Sequence, residues 1–281
     1  LKDLFFFLSL PAPHLKDEPW ASVIPPRLKH VYEFVDGDED GRIQQEGVDI
    51  FTLIRQGDIL VHHPYQSFTA SVQQFITQAA YDPHVLTIKM TLYRTSGAPV
   101  NMRERMVAMI EREADHCLNG GTGRIVAKMK SLVDTQIIRA LYAASQAGVQ
   151  IDLIVRGICC LRPGVENVSE NIRVISVIGR LLEHSRIFYF HNGGEEEIYI
   201  GSADWMSRNL TRRVEAVVPV EQPDLKQELQ SILGILLADN RQAWELQPDG
   251  TYVQRRPASP EQSQSSQAIF TAQAIAETTE D

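Results

Sequence analysis

Between Ser67 and Ala80 the apolar residues fall at Val72, Phe75, Ile76 and Ala79, a spacing that predicts a helix, and Asp82-Pro83 stops it. Val85 to Tyr93 then reads as a strand. A second, strongly amphipathic helix is predicted over Asn101 to Leu118, closed by Asn119-Gly120-Gly121. A strand–helix–strand unit follows: Arg124–Met129, then Thr135–Gln146 with Gly148 as its stop, then Gln150–Val155 as a buried strand. Ile172–Val177, Arg186–His191, Glu197–Ile200 and Val214–Val220 supply further strands, with His191-Asn192-Gly193-Gly194 as a hairpin turn. Pro223 opens a last helix, expected to reach about Leu246. Residues 1–57 are Pro-rich and loop-like until a short helical turn in DIFTLIRQ. From Pro257 the chain turns rich in Ser, Gln, Thr and Ala, and this tail is expected to be disordered because it has little to bury. The alternation of strands and helices predicts an α/β protein.

Composition narrows what such a fold can bind. The 281 residues carry a net charge of −9, which excludes a broad polyanion-binding surface. Residues 123–220 hold 12 Lys and Arg against 10 Asp and Glu, so any site for an anion is a local basic focus in an acidic body. The three cysteines, Cys117, Cys159 and Cys160, form neither a disulfide framework nor a metal-ligand set, and the adjacent pair reads as packing in a reduced setting. The opening LKDLFFFLSLP is too short to span a bilayer, and no other segment is apolar for long enough. Asp36 to Ile43 has the carboxylate spacing of a calcium loop, but the closing glutamate position is Gly47 and Glu46 stands one residue early. A solvated acidic loop is therefore expected there.

The stretch 178–205, IGRLLEHSRIFYFHNGGEEEIYIGSADW, carries the clearest chemistry. Phosphoryl and phosphodiester transfer require a group that titrates near neutrality, with cations and amides around the spread oxygen charge. His184 can supply the first, Arg186 offers a planar fork of donors, and Gly201-Ser202 allows close backbone approach to an anion. Taken singly, His184 also fits a strand-edge histidine and Gly201-Ser202 a turn; the joint H-x-R and G-S-x-D pattern favours the phosphate site. Arg156 closes the apolar strand IDLIVRG before a glycine, where α/β sheets present side chains to ligands, although a pairing with a core-edge carboxylate fits equally. Lys128, Lys130 and Asp134, with Arg208, Arg212 and Arg213, form a candidate phosphate track as a group, each alone fitting a solvated charge. His191 reads as structural, and His62 and His63 as anchors of the loop ahead of Pro64-Tyr65.

The H-x-R and G-S-x-D words resemble one half of the phospholipase D signature, with Arg for Lys and Asp for Asn as departures. The longer words HHPY, TLYRTS, IVRGICCLRPG, LEHSRI and IGSADWM make about residues 1–257 resemble the carboxy-terminal half of the histidine-phosphorylating bacterial polyphosphate kinases. That resemblance implies a phospholipase-D-like α/β lobe with a mixed sheet flanked by helices over residues 98–256. It also implies a loop-rich lead-in over 1–57 and a stub of a partner lobe over 58–97 with apolar surface left open. It implies ATP or ADP and polyphosphate as partners, magnesium as cofactor, no nucleic acid, a cytoplasmic setting that allows peripheral association with the inner membrane, and room for a homo-oligomer. By resemblance His184 is an acid/base or phosphate-contacting histidine, Arg156 and Arg186 hold nucleotide phosphates, and Arg94 belongs to a phosphate–magnesium cluster.

One part of the family pattern is missing. Gly97 runs straight into Ala98-Pro99-Val100-Asn101, and the H-x-K word that bears the phosphorylated histidine in the family is expected to have no counterpart anywhere in the chain. Three functions compete on this reading. The first is a polyphosphate kinase that transfers the ATP terminal phosphoryl group through a phosphohistidine. The second is a silent remnant that still binds nucleotide or polyphosphate. The third is a phospholipase-D-like phosphodiesterase using His184.

Overall fold

A computed structural model describes residues 20–31, 47–85, 102–213 and 215–279. The helices and strands, in order, are α1 (Ile50–Arg55), α2 (Gln74–Tyr81), α3 (Met102–Leu118), β1 (Arg124–Met129), α4 (Thr135–Gln146), β2 (Gln150–Val155), β3 (Ile172–Val177), β4 (Ile187–Phe190), β5 (Glu197–Gly201), α5 (Ser207–Arg212), β6 (Val217–Val220), α6 (Pro223–Ala238), β7 (Ala243–Leu246), β8 (Tyr252–Gln254) and α7 (Ser266–Thr279). Arg94, the Gly97-Ala98 junction, the acidic loop at Asp36 and all but Val85 of the strand expected over residues 85–93 fall outside the described residues.

The eight strands form one mixed sheet in the order β6-β5-β4-β1-β2-β3-β7-β8. β1, β2 and β3 run parallel, joined first by α4 as a crossover helix, and every other neighbouring pair is antiparallel. Side chains alternate across this sheet and sort into two cores. Ile125, Ala127 and Met129 of β1, with Phe188 and Phe190 of β4, face α3 and α4 through Met106, Ile110, Ile137 and Leu141. Val126, Ile187 and Tyr189 face the other way, onto Leu229, Ile232, Leu233 and Leu236 of α6 and Phe270 and Ala274 of α7. The result is three layers, helix on sheet on helix.

α4 forms where its periodicity placed it because Asp134 caps it, accepting from the amides of Gln136 and Ile137. Two expectations fail at the carboxy-terminal end. The helix from Pro223 stops at Ala238, since Asp239 turns the chain and its Oδ1 accepts the amides of Arg241, Gln242 and Ala243, launching β7 along β3. The tail expected to be disordered folds as α7. Its start is pinned by the other oxygen of Asp239, which accepts from both the amide and hydroxyl of Ser266. Phe270 is then 3 % exposed, packed on Tyr65 and His62. A low-hydropathy tail gains enough burial from Phe270 and Ala274 when a preformed acceptor waits for its first turn. Phe270→Ala is expected to cost about 3–5 kcal/mol of unfolding free energy, read from urea denaturation.

Residues 58–85 are folded onto this lobe through Tyr65, which is 1 % exposed. On the far side, Phe68, Val72, Phe75 and Tyr81 stay exposed.

Candidate functional site

The carboxyl ends of the parallel strands β1 and β2 lie side by side. The amino end of antiparallel β4 meets β1 there, with Lys128 opposite Ile187. Lys130 follows β1, Arg156 follows β2, His184 and Arg186 precede β4, and Asp204 follows β5. The geometry of four strands therefore gathers distant sequence words at one edge of the sheet.

Arg186 is not a free phosphate ligand. Its Nε donates to Oδ1 of Asp204 at 3.2 Å, one Nη donates to Oδ2 at 3.2 Å, and the other donates to the carbonyl of His184 at 2.7 Å. Both partners are about 6 % exposed. Asp204 also accepts the amide of Lys130 at 2.8 Å. The two departures from the family words are thus one feature: an arginine and an aspartate matched as a bidentate pair. Gly201 likewise serves the sheet, since a β-carbon there would collide with Ala216 and Val217 of the approach to β6. Ser202 donates to Glu215, which also accepts from Asn209, and Trp205 stacks on Phe188 in the core. The G-S-x-D word is mainly scaffold.

His184 is exposed, and its pKa lies below the ordinary histidine value. Burial of part of the ring acts first, then the cations of Arg186 and Arg156; Asp204 opposes them and Lys130 adds to them. The imidazole is therefore neutral at neutral pH and able to accept a proton. Arg156 is half-buried, makes no ion pair among the described residues, and keeps a buried Nε without a hydrogen-bond partner. It lines a hollow of about 10 Å³ with Lys128 and Glu183, too small for a phosphate. His184 and Arg156 share an electrostatic field, not a closed cavity.

The candidate track divides in two. Lys130 and Arg208 are exposed. Lys128 is 4 % exposed and sits in an ion pair with Glu183 at 3.2 Å, its Nζ donating also to the Ser185 hydroxyl at 2.7 Å. Asp134 is spent on capping α4 and on Arg103 and Ser207. Arg213 lies 4.0 Å from Glu215.

Sequence reasoning missed Glu183. Its carboxylate accepts from the Tyr65 hydroxyl at 2.5 Å, pairs with Lys128, and lies 3.7 Å from His62. Burial works to raise its pKa, but His62, Lys128 and Tyr65 together outweigh that and hold it at about 2. The signal was present in the word LEHSRI, where a carboxylate stands inside an apolar run. His62 and His63 do anchor their loop, His63 against the carbonyl of Gln66 at 2.8 Å and His62 against Glu183.

A neutral histidine beside an unspent arginine and an exposed lysine, at the carboxyl edge of a mixed sheet, defines an α/β lobe with an anion-facing edge. Comparison with known proteins gives the class. The profile of polyphosphate kinase C-terminal domain 2 matches residues 96–267, and that of C-terminal domain 1 matches residues 49–114. The chain belongs to the polyphosphate kinase family. A polyphosphate kinase of Synechocystis sp. is 68 % identical, the alignment covering 100 % of this chain and 56 % of that one. One of Thermosynechococcus vestitus is 40 % identical over 98 % of this chain and 56 % of its own length. The crystal structure of polyphosphate kinase from Porphyromonas gingivalis superposes with a TM-score of 0.61 at 40 % identity, covering 75 % of this chain and 32 % of that one. The chain spans about half the length of the relatives it matches. The Synechocystis alignment runs over 408 positions against 281 residues here, so that relative carries residues with no counterpart in this chain. The two profiles overlap across residues 96–114, around the Gly97-Ala98 junction. One literal H-x-K triplet does occur, His14-Leu15-Lys16, ahead of both profile matches and outside the described residues.

Among the described residues no helix is long and apolar enough to cross a membrane.

Proposed function

We propose that this chain is the nucleotide- and polyphosphate-binding lobe for reversible transfer of the ATP terminal phosphoryl group to polyphosphate. It lacks a phosphorylated histidine at the family's usual place. The observation that carries the reading is His184, held neutral beside Arg156 and Lys130 at the sheet edge. In this role Arg156 receives nucleotide phosphates, Lys130 adds charge to the chain track, and His184 accepts or returns a proton at the transferred group. Arg186 positions His184 by gripping its carbonyl, which moves it from the phosphate to the scaffold. Magnesium is given no protein ligand set: among the described residues no group of three His, Cys, Asp or Glu side chains could hold a metal ion. In this reading it comes with the nucleotide as counter-ion of the phosphates. A cytoplasmic setting, where ATP is abundant, goes with this function.

Isothermal titration of the whole chain with MgATP and with a short polyphosphate tests it. Arg156→Ala is expected to weaken MgATP binding about tenfold or more, the scale of a lost charge-assisted hydrogen bond. The His184 ring, followed by NMR, should titrate below the ordinary histidine value in the free chain and move up when polyphosphate binds, because added negative charge favours imidazolium. A midpoint indifferent to polyphosphate would sink the assignment. Incubation with γ-labelled ATP is expected to leave no acid-labile, base-stable label. Such a label would show that the chain carries its own nucleophile, with His14 the first residue to map.

A further inference from the structure

The segment between β3 and β4, residues 178–186, carries Glu183, His184 and Arg186 yet has no regular secondary structure. It exposes Ile178 and Leu182 to solvent, at 59 % and 62 %, so packing alone holds it weakly. The buried side-chain amide of Gln267, on the first turn of α7, clasps it. Its Oε1 accepts the amide of Leu181 at 2.9 Å and its Nε2 donates to the carbonyl of the same residue at 2.8 Å. The side chain thus completes both backbone groups of Leu181, as a neighbouring strand would. Gly179 makes the approach feasible, because a β-carbon there would collide with the Gln267 amide. The base of the clasp is rigid: Ser266, one residue earlier, is bound twice by Asp239, which is 0 % exposed. From Leu181 the chain passes directly to Glu183, locked by Tyr65 and Lys128, and to His184.

We propose that Gln267 is a positioning residue for His184, so that the carboxy-terminal helix holds the segment carrying the acid/base group in register with Arg156. The inference rests on the role given to His184 above, and the domain profile ends at Gln267 itself, leaving the remainder of α7 outside the matched region.

The test uses the full chain with Gln267→Ala and, separately, Gly179→Ala. Amide exchange should speed up about tenfold across 181–184 in both, the effect of removing a buried hydrogen bond. The His184 titration midpoint should move up toward the ordinary histidine value as the ring leaves Arg186 and Arg156. Gln267→Glu, which keeps the acceptor for Leu181 and loses the donor, should fall between wild type and Gln267→Ala. If Gln267→Ala also accelerates exchange over 270–278, α7 has detached, and Gly179→Ala decides, since it displaces the segment without altering the helix. Unchanged exchange at 181–184 with an unchanged His184 midpoint in Gly179→Ala overturns the proposal. Failure of the unaltered chain to bind MgATP would refute the function proposed above while leaving the exchange result intact.

Discussion

Replacing Asp204 with alanine is expected to destabilise the protein by about 3–5 kcal/mol, because it strands the Arg186 guanidinium in a buried site with no counter-charge. Both members of the pair are about 6 % exposed, so water cannot take the place of the carboxylate. Chemical denaturation of the single variant gives the loss directly. The double variant Arg186→Lys, Asp204→Asn restores the residue types of the phospholipase D signature and should recover part of that loss, since the asparagine carbonyl still accepts from a shorter, single-point cation. A double variant no more stable than Asp204→Ala would show that the fork geometry, and not charge compensation, holds this corner.

The second large effect is expected at Glu183. Its pKa is held at about 2, against 4.5 for an ordinary glutamate, so its ionised form stabilises the fold. A depressed pKa means a contribution fully present above about 4.5 and lost as pH falls toward about 2. The size of that shift corresponds to about 3 kcal/mol. Glu183→Gln should therefore lose a similar amount at neutral pH, and its deficit relative to the unaltered chain should shrink through that window. A deficit that stays constant down to pH 2 would mean that the loss comes from packing and not from charge. Lys128 reinforces the argument. Burial pushes its pKa down while Glu183 pulls it up, so without the carboxylate the ammonium loses what keeps it charged in the interior.

The elements most legible in the sequence were those whose burial follows one period. β1, α4, β2 and β3 fall on the ranges their patterns dictate, because each packs through residues near in sequence and one cap or glycine marks the boundary. Leu246 and Phe270 lie where local periodicity no longer decides the structure. Whether the run after Ala238 continues as a helix or turns into β7 depends on Asp239, a single buried carboxylate whose five donors come from residues 241–243 and from Ser266, 27 residues on. Nothing in local periodicity reveals that. At the candidate site the places of His184, Arg156 and Lys130 were legible because each stands just outside a strand whose ends the apolar pattern marks. Arg186 was misjudged because its partner, 18 residues away, becomes its neighbour only through the pairing of β4 with β5. Glu183 was overlooked because its partners, Tyr65 and Lys128, are remote in sequence, Tyr65 standing 118 residues before it.

The contact of α7 with the HHPY segment has a consequence for biosynthesis. Gln66 bonds to Glu277 across 211 residues, and Lys29 reaches Thr278 across 249, so the first part of the chain acquires its cover last. While the polypeptide is being translated, Tyr65 and its neighbours must wait, apolar surface open, until α7 clears the ribosomal tunnel. Removing residues 266–279 is therefore expected to be felt first at the distant HHPY segment, as aggregation through the uncovered face of Tyr65.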